Sequence, residues 1–121
     1  MHKILYVEDN EDNIYMLRQR LQREGFEVSI ARNGAEGIAT ARAERPDLII
    51  MDLVLPEIDG WEATRQLKAD PELGATPVIA LSASVMSGDP DRAFKAGCDA
   101  FEFKPVDFPQ LLGKIAKLLE P

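Results

Sequence analysis

The sequence predicts an α/β fold, a flavodoxin-like doubly wound sheet of five parallel strands in the order 2-1-3-4-5, flanked by five helices. Five short apolar stretches alternate with five stretches in which apolar residues recur at helical spacing, and short connections join them. Right-handed crossovers between such units make the strands parallel and place helices on both faces of the sheet. At 121 residues the chain is long enough for one sizeable core and too short for two. We therefore expect a single domain over residues 1–121, with no output domain attached.

The first strand is predicted at Lys3–Val7, a β-prone apolar stretch that breaks into a polar run. A helix follows from about Glu11, with Asn10 as its N-cap, and Gly25 ends it. Its core face is predicted from three apolar residues at helical spacing, which are Ile14, Leu17 and Leu21. The alternating stretch Phe26–Ala31 is predicted as the second strand.

Asn33-Gly34 is expected to open the second helix, with a buried side formed by Ala35, Ile38 and Ala39. The third strand begins at Leu48, after Pro46-Asp47, and runs through four consecutive apolar residues. A run without alternation is typical of a strand buried on both faces. Asp52 stands where this strand leaves the core, at the sheet edge where ligands of such folds bind.

The third helix is predicted from about Gly60 to Lys68, because Asp59 and Glu62 have the spacing of a capping box. Asp70-Pro71 closes it. Pro77–Leu81 is predicted as the fourth strand, also buried.

The fourth helix is expected from Asp89-Pro90, where Asp89 would be the N-cap and proline the first helical residue, and Gly97 ends it. Ala100–Phe103 is predicted as the fifth strand. The fifth helix begins near Asp107 and carries an apolar face made of Leu111, Leu112, Ile115 and Leu119.

The composition excludes several functional classes. A net charge of −7 argues against nucleic acid and anionic membranes as direct partners, since both require basic patches. No apolar run approaches the ~20 residues that span a bilayer, and no signal peptide precedes the first strand. The single Cys98 excludes an internal disulfide and fits a reducing compartment, so we expect a cytoplasmic protein.

Polar residues stand at the carboxyl ends of four strands: Glu8, Asp9, Asp52, Ser82 and Lys104. Each has an ordinary interpretation by itself, as a turn residue or a surface charge. In the predicted order the first and third strands are neighbours, so the three carboxylates converge. Two unit charges ~4 Å apart repel by roughly 4 kcal/mol at an effective dielectric of 20. The cluster therefore needs a compensating cation.

All-oxygen ligands at a partly solvated edge suit Mg²⁺. Lys104 adds an ammonium group and Ser82 adds a hydroxyl donor. A carboxylate nucleophile, a divalent metal, an ammonium group and a hydroxyl together are typical of phosphoryl transfer.

The sequence resembles the receiver domain of two-component response regulators. Four elements carry the resemblance at their spacing: Glu8-Asp9, Asp52 within the stretch 51–60, Ser82-Ala83 and Lys104-Pro105. The likeness covers essentially the whole chain, and it is greatest to stand-alone receivers of bacterial cell-cycle phosphorelays.

The resemblance implies that Asp52 is the phosphoacceptor. It also implies that Mg²⁺ is bound by Asp9, by Glu8 directly or through water, by Asp52, and by the backbone carbonyl of Val54. By the same resemblance, Ser82 and Lys104 bind the phosphoryl oxygens.

The resemblance further implies that Phe101, where the family often has Tyr, is an aromatic switch whose rotamer follows Ser82. The Lys104-Pro105 bond is implied to be cis. The output surface would be the fourth helix, fifth strand and fifth helix.

The implied partners are a sensor histidine kinase or histidine phosphotransfer protein as phosphodonor, and a downstream protein target. The chain would be a monomer or a weak phosphorylation-dependent dimer. It would be a phosphoacceptor signalling domain that assists its own phosphorylation and dephosphorylation, and not a conventional enzyme.

Three alternatives stay open. The first is a receiver-like module that binds a partner without being phosphorylated, although such modules typically lose one of the site residues. The second is a Mg²⁺ phosphatase of small molecules, but Val54 stands where its general acid would be. The third is a nucleotide- or flavin-binding protein, for which a glycine-rich loop after the first strand is lacking.

Overall fold

The computed structural model describes residues 2–82 and 89–120, and in these ranges five strands alternate with five helices. The strands are β1 (Lys3–Val7), β2 (Glu27–Ala31), β3 (Leu48–Asp52), β4 (Val78–Ser82) and β5 (Ala100–Phe103). The helices are α1 (Glu11–Arg23), α2 (Gly34–Glu44), α3 (Gly60–Ala69), α4 (Asp89–Ala96) and α5 (Phe108–Leu118). All strand pairs are parallel and the sheet order is β2-β1-β3-β4-β5, which confirms the predicted topology.

Side-chain caps begin four of the helices. Asn10, Asn33, Asp59 and Asp107 each accept a hydrogen bond from the backbone N–H three residues later, at 2.8–3.1 Å. Each cap satisfies a donor that the first helical turn leaves without a partner. The predicted caps of α1 and α3 are therefore confirmed. The predicted capping role of the Asp89 side chain lies outside the described part of the chain.

The sheet separates two apolar layers. Leu5 and Val7 of β1 point toward α2, α3 and α4, whereas Ile4 and Tyr6 point toward α1 and α5. Successive side chains of a strand alternate between faces, so β1 supplies both layers. Every residue of β3 and β4 is buried, as expected for central parallel strands. Within the described ranges, no helix has the length and apolar character needed to cross a membrane.

The predicted buried side of α2 is wrong at two positions. Ala35 and Ala39 are exposed, and the buried residues are Gly34, Gly37, Ile38 and Ala41. The glycines explain the difference, because a Cβ at Gly37 would lie 3.0 Å from a methyl group of Val7. The helix thus packs its glycine side closely against the sheet, and Ala35 and Ala39 face the solvent.

Smaller differences concern element ends. β2 begins at Glu27, one residue later than predicted, and β4 is displaced by one residue to Val78–Ser82. α3 runs one residue further than predicted, to Ala69. The displacement of β4 makes Ser82 the last residue of a strand, which bears on the site.

Gly60 allows α3 to begin directly against the end of β3. A Cβ at this position would lie 2.3 Å from the backbone oxygen of Asp52 and 2.6 Å from the Cα of Leu53. Only a glycine fits such an approach without moving the backbone. The backbone N–H of Gly60 also donates to the Leu53 carbonyl at 3.0 Å. This contact fixes the segment that carries Asp52.

Candidate functional site

Three carboxylates meet at the carboxyl edge of the sheet. Glu8 and Asp9 follow β1, and Asp52 ends β3, the neighbour of β1. One oxygen from each of the three lies within 4.8 Å of the others. Glu8 and Asp52 are buried, whereas Asp9 is exposed. The structure therefore brings together the acidic residues that the sequence analysis singled out.

Lys104 bridges the two buried carboxylates. Its Nζ donates to Glu8 Oε1 at 2.8 Å and to Asp52 Oδ2 at 3.1 Å, and its side chain is 17% exposed. The Lys104-Pro105 peptide bond is cis, as the resemblance implies. The ammonium group thus lies beside the same carboxylates that form the acidic cluster.

Asp52 receives a second hydrogen bond from its own strand end. The backbone N–H of Val54 donates to Asp52 Oδ1 at 3.1 Å, while Oδ2 faces Lys104. The two oxygens are therefore held by different donors, which restricts rotation of the carboxylate. Val54 itself is 65% exposed, so an exposed apolar residue lies two positions after the buried Asp52.

Glu8 has three neighbours that sequence reasoning missed. The Tyr6 hydroxyl donates to Oε1 at 3.1 Å, and Asn13 Nδ2 lies 3.5 Å from the same oxygen. The backbone N–H of Asn10 contacts Oε2 at 3.4 Å. The signal available for Tyr6 was its position two residues before Glu8, which places both side chains on one face of β1.

The site's charges shift one another's pKa values. Burial raises the pKa of Asp52 to about 7, aided by the hydrogen bond with Glu8 and by the negative charge of that residue. Burial alone would also raise the pKa of Glu8, but its hydrogen bonds with Asp52 and Lys104 outweigh burial, and its pKa is lowered. The pKa values of the two buried carboxyl groups are thus shifted in opposite directions, which favours the protonated form of Asp52 and the ionised form of Glu8.

The Lys104 ammonium group is stabilised by the same pair. Burial alone would lower the pKa of Lys104, but the hydrogen bond to Glu8 and the charge of Asp52 raise it. One fixed ammonium cannot neutralise three carboxylates. The remaining negative charge, carried entirely by oxygen ligands, fits a hard divalent cation.

Ser82 and Phe101 lie on the adjacent strands β4 and β5. Ser82 is buried at the end of β4, and its backbone carbonyl accepts a 2.8 Å hydrogen bond from the N–H of Lys104. Phe101 is buried in β5, and its ring meets that of Phe103 edge-on, with centroids 4.9 Å apart. Phe103 is exposed. Ala83, which completes the Ser82-Ala83 element, lies outside the described residues.

A cavity of about 280 Å³ adjoins the site between α1 and the start of α5. The residues that line it include Tyr6, Lys104, Met16, Arg20 and Phe108. The Arg20 guanidinium lies 4.4 Å from the centroid of the Phe108 ring, so two of the lining residues contact each other. Met16 is 63% exposed and borders the opening.

Comparison with known proteins places this chain in a family. A family model of the response regulator receiver domain matches residues 4–116. The polar-differentiation response regulator DivK of Brucella anthropi is 43% identical over 116 residues, which cover 96% of this chain and 94% of the relative.

Solved structures agree in fold. The receiver domain of a sensor histidine kinase from Pseudomonas aeruginosa, solved with a magnesium ion coordinated in its active site cleft, is 31% identical with a TM-score of 0.91. The match covers 98% of this chain and 97% of that one. A chemotaxis response regulator of Vibrio cholerae has the same TM-score at 28% identity, with 98% and 99% of the chains covered.

Proposed function

The chain belongs to the response regulator receiver family, and we propose that Asp52 is the residue on which it accepts a phosphoryl group. Its function is phosphorelay signal transduction. One observation carries the choice of Asp52. It is the buried carboxylate that ends the central strand β3, and its two oxygens receive the Val54 N–H and the Lys104 ammonium, each at 3.1 Å.

The proposed reaction begins with a phosphohistidine on a sensor histidine kinase or a histidine phosphotransfer protein, or with a small phosphodonor. An ionised oxygen of Asp52 forms a bond to phosphorus as the bond to the donor's nitrogen or oxygen breaks. The hydrogen bond from the Val54 N–H holds the carboxylate in one orientation during this step. Lys104 stabilises negative charge on the transferring oxygens.

We propose that the acidic cluster holds Mg²⁺, with Glu8, Asp9, Asp52 and the Val54 backbone carbonyl as the groups that would bind it. When bound, the ion supplies positive charge that neutralises the phosphoryl oxygens. With a pKa of about 7 in the metal-free site, Asp52 carries a proton in a large fraction of molecules at neutral pH. A cation beside it favours the ionised carboxylate, which is the nucleophile.

The proposed switch uses Ser82 and Phe101. The Ser82 hydroxyl would donate to a phosphoryl oxygen on Asp52, and the ring of Phe101 would follow the resulting movement. To change the active population from 1:99 to 99:1, the phosphoryl group must favour the active form by roughly 5.5 kcal/mol. The proposed output surface is α4, β5 and α5, where Phe94 and Phe103 are 50% and 43% exposed.

The phosphodonor protein is proposed to approach from the side of the cavity. The cavity opens between α1 and the segment 104–108, and Lys104 forms part of its wall. A partner that inserted an apolar side chain beside Met16 would bring its phosphohistidine toward Asp52. The downstream target would bind the output surface, which shares α5 with the border of the cavity.

Two further expectations belong to this proposal. Cys98 is a free, buried thiol, which fits a reducing compartment such as the cytoplasm. The chain is expected to be a monomer or a weak dimer that forms on phosphorylation. It is proposed to act as a phosphoacceptor that assists its own phosphorylation and dephosphorylation, and not as an enzyme that turns over small molecules.

Incubation with acetyl phosphate and Mg²⁺, followed by intact mass spectrometry, tests the proposal. The wild type is expected to gain the mass of one phosphoryl group, and Asp52→Asn to gain none. Asp12→Asn is the matched control, because Asp12 is an exposed acid of α1. A wild type that gained no phosphoryl mass would favour the alternative of a phosphorylation-independent interaction module.

A further inference from the structure

The Tyr6 hydroxyl is buried in the sheet and has an acidic partner. Tyr6 is 1% exposed and packs in the apolar layer beneath α1 and α5. A phenylalanine would fill this position without bringing a polar atom into the core. A buried tyrosine hydroxyl normally needs a hydrogen-bond partner, and here the partner is Glu8 Oε1 at 3.1 Å.

The geometry of the sheet fixes the position of the Tyr6 hydroxyl relative to Glu8. Tyr6 and Glu8 are two residues apart, so their side chains leave the same face of the chain. Tyr6 pairs with Ile30 of β2 on one side and with Ile50 of β3 on the other. Because β1 is hydrogen-bonded to a strand on each side, its backbone cannot rotate about the strand axis. The Tyr6 side chain therefore keeps its hydroxyl donor on the side of Glu8.

Tyr6 and Lys104 meet at the same oxygen of Glu8. Lys104 Nζ lies 2.8 Å from Oε1, and the Tyr6 hydroxyl reaches that oxygen from the core side. The donor contact to Oε2 from the backbone N–H of Asn10 is longer, at 3.4 Å. The strongest donors therefore converge on Oε1, which leaves Oε2 more available to a further ligand.

We propose that Tyr6 is a positioning residue of the phosphoryl-transfer site. Its hydroxyl holds Glu8 so that Oε1 retains Lys104 beside Asp52, while Oε2 is presented to a cation bound with Asp9. This inference rests on the proposed function, because it assigns Tyr6 a role toward the metal that the function requires. Residues that orient metal ligands from outside typically affect metal affinity 10–100-fold.

The test compares the chain's two tyrosines. Tyr6→Phe removes only the buried hydroxyl, and Tyr15→Phe removes the hydroxyl of an exposed residue on α1 that accepts a hydrogen bond from Gln19. The Mg²⁺ dissociation constant of each protein is measured by titration calorimetry without phosphodonor. Thermal unfolding reports the fold, and the rate of phosphorylation by acetyl phosphate is followed as Mg²⁺ is varied.

Tyr6→Phe is expected to weaken Mg²⁺ binding about tenfold. Its phosphorylation rate should approach that of the wild type at saturating Mg²⁺, with cooperative unfolding retained. Tyr15→Phe should match the wild type throughout. Unchanged or tighter Mg²⁺ binding by Tyr6→Phe would overturn the inference, as would an equal loss of affinity in Tyr15→Phe. A wild type that binds Mg²⁺ but gains no phosphoryl group would instead overturn the proposed function.

Discussion

The protonation of Asp52 depends on its burial and on two charged neighbours, Glu8 and Lys104, which shift its pKa in opposite directions. Burial and Glu8 raise its pKa to about 7, and Lys104 acts in the other direction. A carboxyl group whose pKa is higher in the folded state than in the unfolded state, where it is near 3.8, binds protons more tightly when folded. Its favourable contribution to stability is present at low pH and is lost as the pH rises from about 4 to 7.

The first prediction concerns how the stability effect of the raised Asp52 pKa changes with pH. In EDTA, Asp52→Asn should be more stable than the wild type at pH 8 by roughly 2 kcal/mol, and the difference should shrink at pH 5. The lowered pKa of Glu8 acts in the opposite direction and keeps the effect below the full shift of Asp52. Urea unfolding at both pH values measures it, with Asp12→Asn as the control. A difference that grew toward pH 5 would contradict the assignment.

Lys104 carries the second prediction. Lys104→Ala removes the ammonium that contacts both Glu8 and Asp52, so charge on the transferring oxygens is less stabilised. The phosphorylation rate with acetyl phosphate and Mg²⁺ should fall about 10²-fold. Lys117→Ala, an exposed lysine of α5, should leave the rate unchanged. A Lys104→Ala protein that reacted at the wild-type rate would remove Lys104 from the proposed mechanism.

The principal site residues could be predicted from the sequence, whereas Asn13 could not, and the one signal for Tyr6 was its position two residues before Glu8. Glu8, Asp52 and Lys104 stand out because charged residues directly follow apolar strands. Tyr6 lies inside such a strand, where an aromatic ring is expected for packing alone. Its hydroxyl gains a role only from the conformation of a neighbouring side chain, which periodicity does not report.

At the scale of elements, the start of α3 positions the end of β3. Gly60→Ala would place a methyl group 2.3 Å from the Asp52 backbone oxygen, and this contact can be relieved only by moving backbone. We expect the free energy of unfolding to fall by about 3 kcal/mol, together with slower phosphorylation.

Gly113→Ala is the matched control for that third prediction. Gly113 lies inside α5, and no atom is found within 4 Å of a Cβ built there. Since alanine is the better helix former, this change should stabilise the protein by roughly 0.5–1 kcal/mol. Urea unfolding of both variants measures the contrast. Equal stabilities would show that α3 can move away from β3 without cost.

Helix starts were predictable because they depend on local chemistry, and helix faces were less so. Asn10 and Asp59 cap the helices they were predicted to cap, through hydrogen bonds three residues away. The buried face of α2 depends instead on how closely a helix approaches the sheet. Gly37 packs against Val7. The apolar pattern favoured Ala35 and Ala39 because it reports which side chains are apolar and not how closely the helix backbone approaches the sheet.

At the scale of the whole molecule, the site exists because of strand order. Glu8 and Lys104 are 96 positions apart, and Asp52 and Lys104 are 52 apart, yet all three are in contact. Local sequence patterns cannot bring such residues together. The rule that parallel crossovers are right-handed predicted a parallel sheet with helices on both faces. The strand order of flavodoxin-like doubly wound sheets then predicted that β1 and β3 are neighbours.

The regions proposed for the phosphodonor and the downstream target are centred on different parts of the molecule and share only α5. The cavity between α1 and α5 adjoins Lys104, while Phe94 and Phe103 are exposed on the proposed output surface. A phosphodonor and a downstream target could therefore use different surfaces.

The most direct test of the central claim is to locate the phosphoryl group. The protein is treated with acetyl phosphate in Mg²⁺ or in EDTA and then with borohydride, which reduces an acyl phosphate of aspartate to homoserine, and its peptides are mapped by mass spectrometry. We predict homoserine at position 52 in the Mg²⁺ sample and none in the EDTA sample. Modification of a different aspartate, or equal modification of Asp52 in EDTA, would contradict a Mg²⁺-dependent phosphoacceptor at this edge of the sheet.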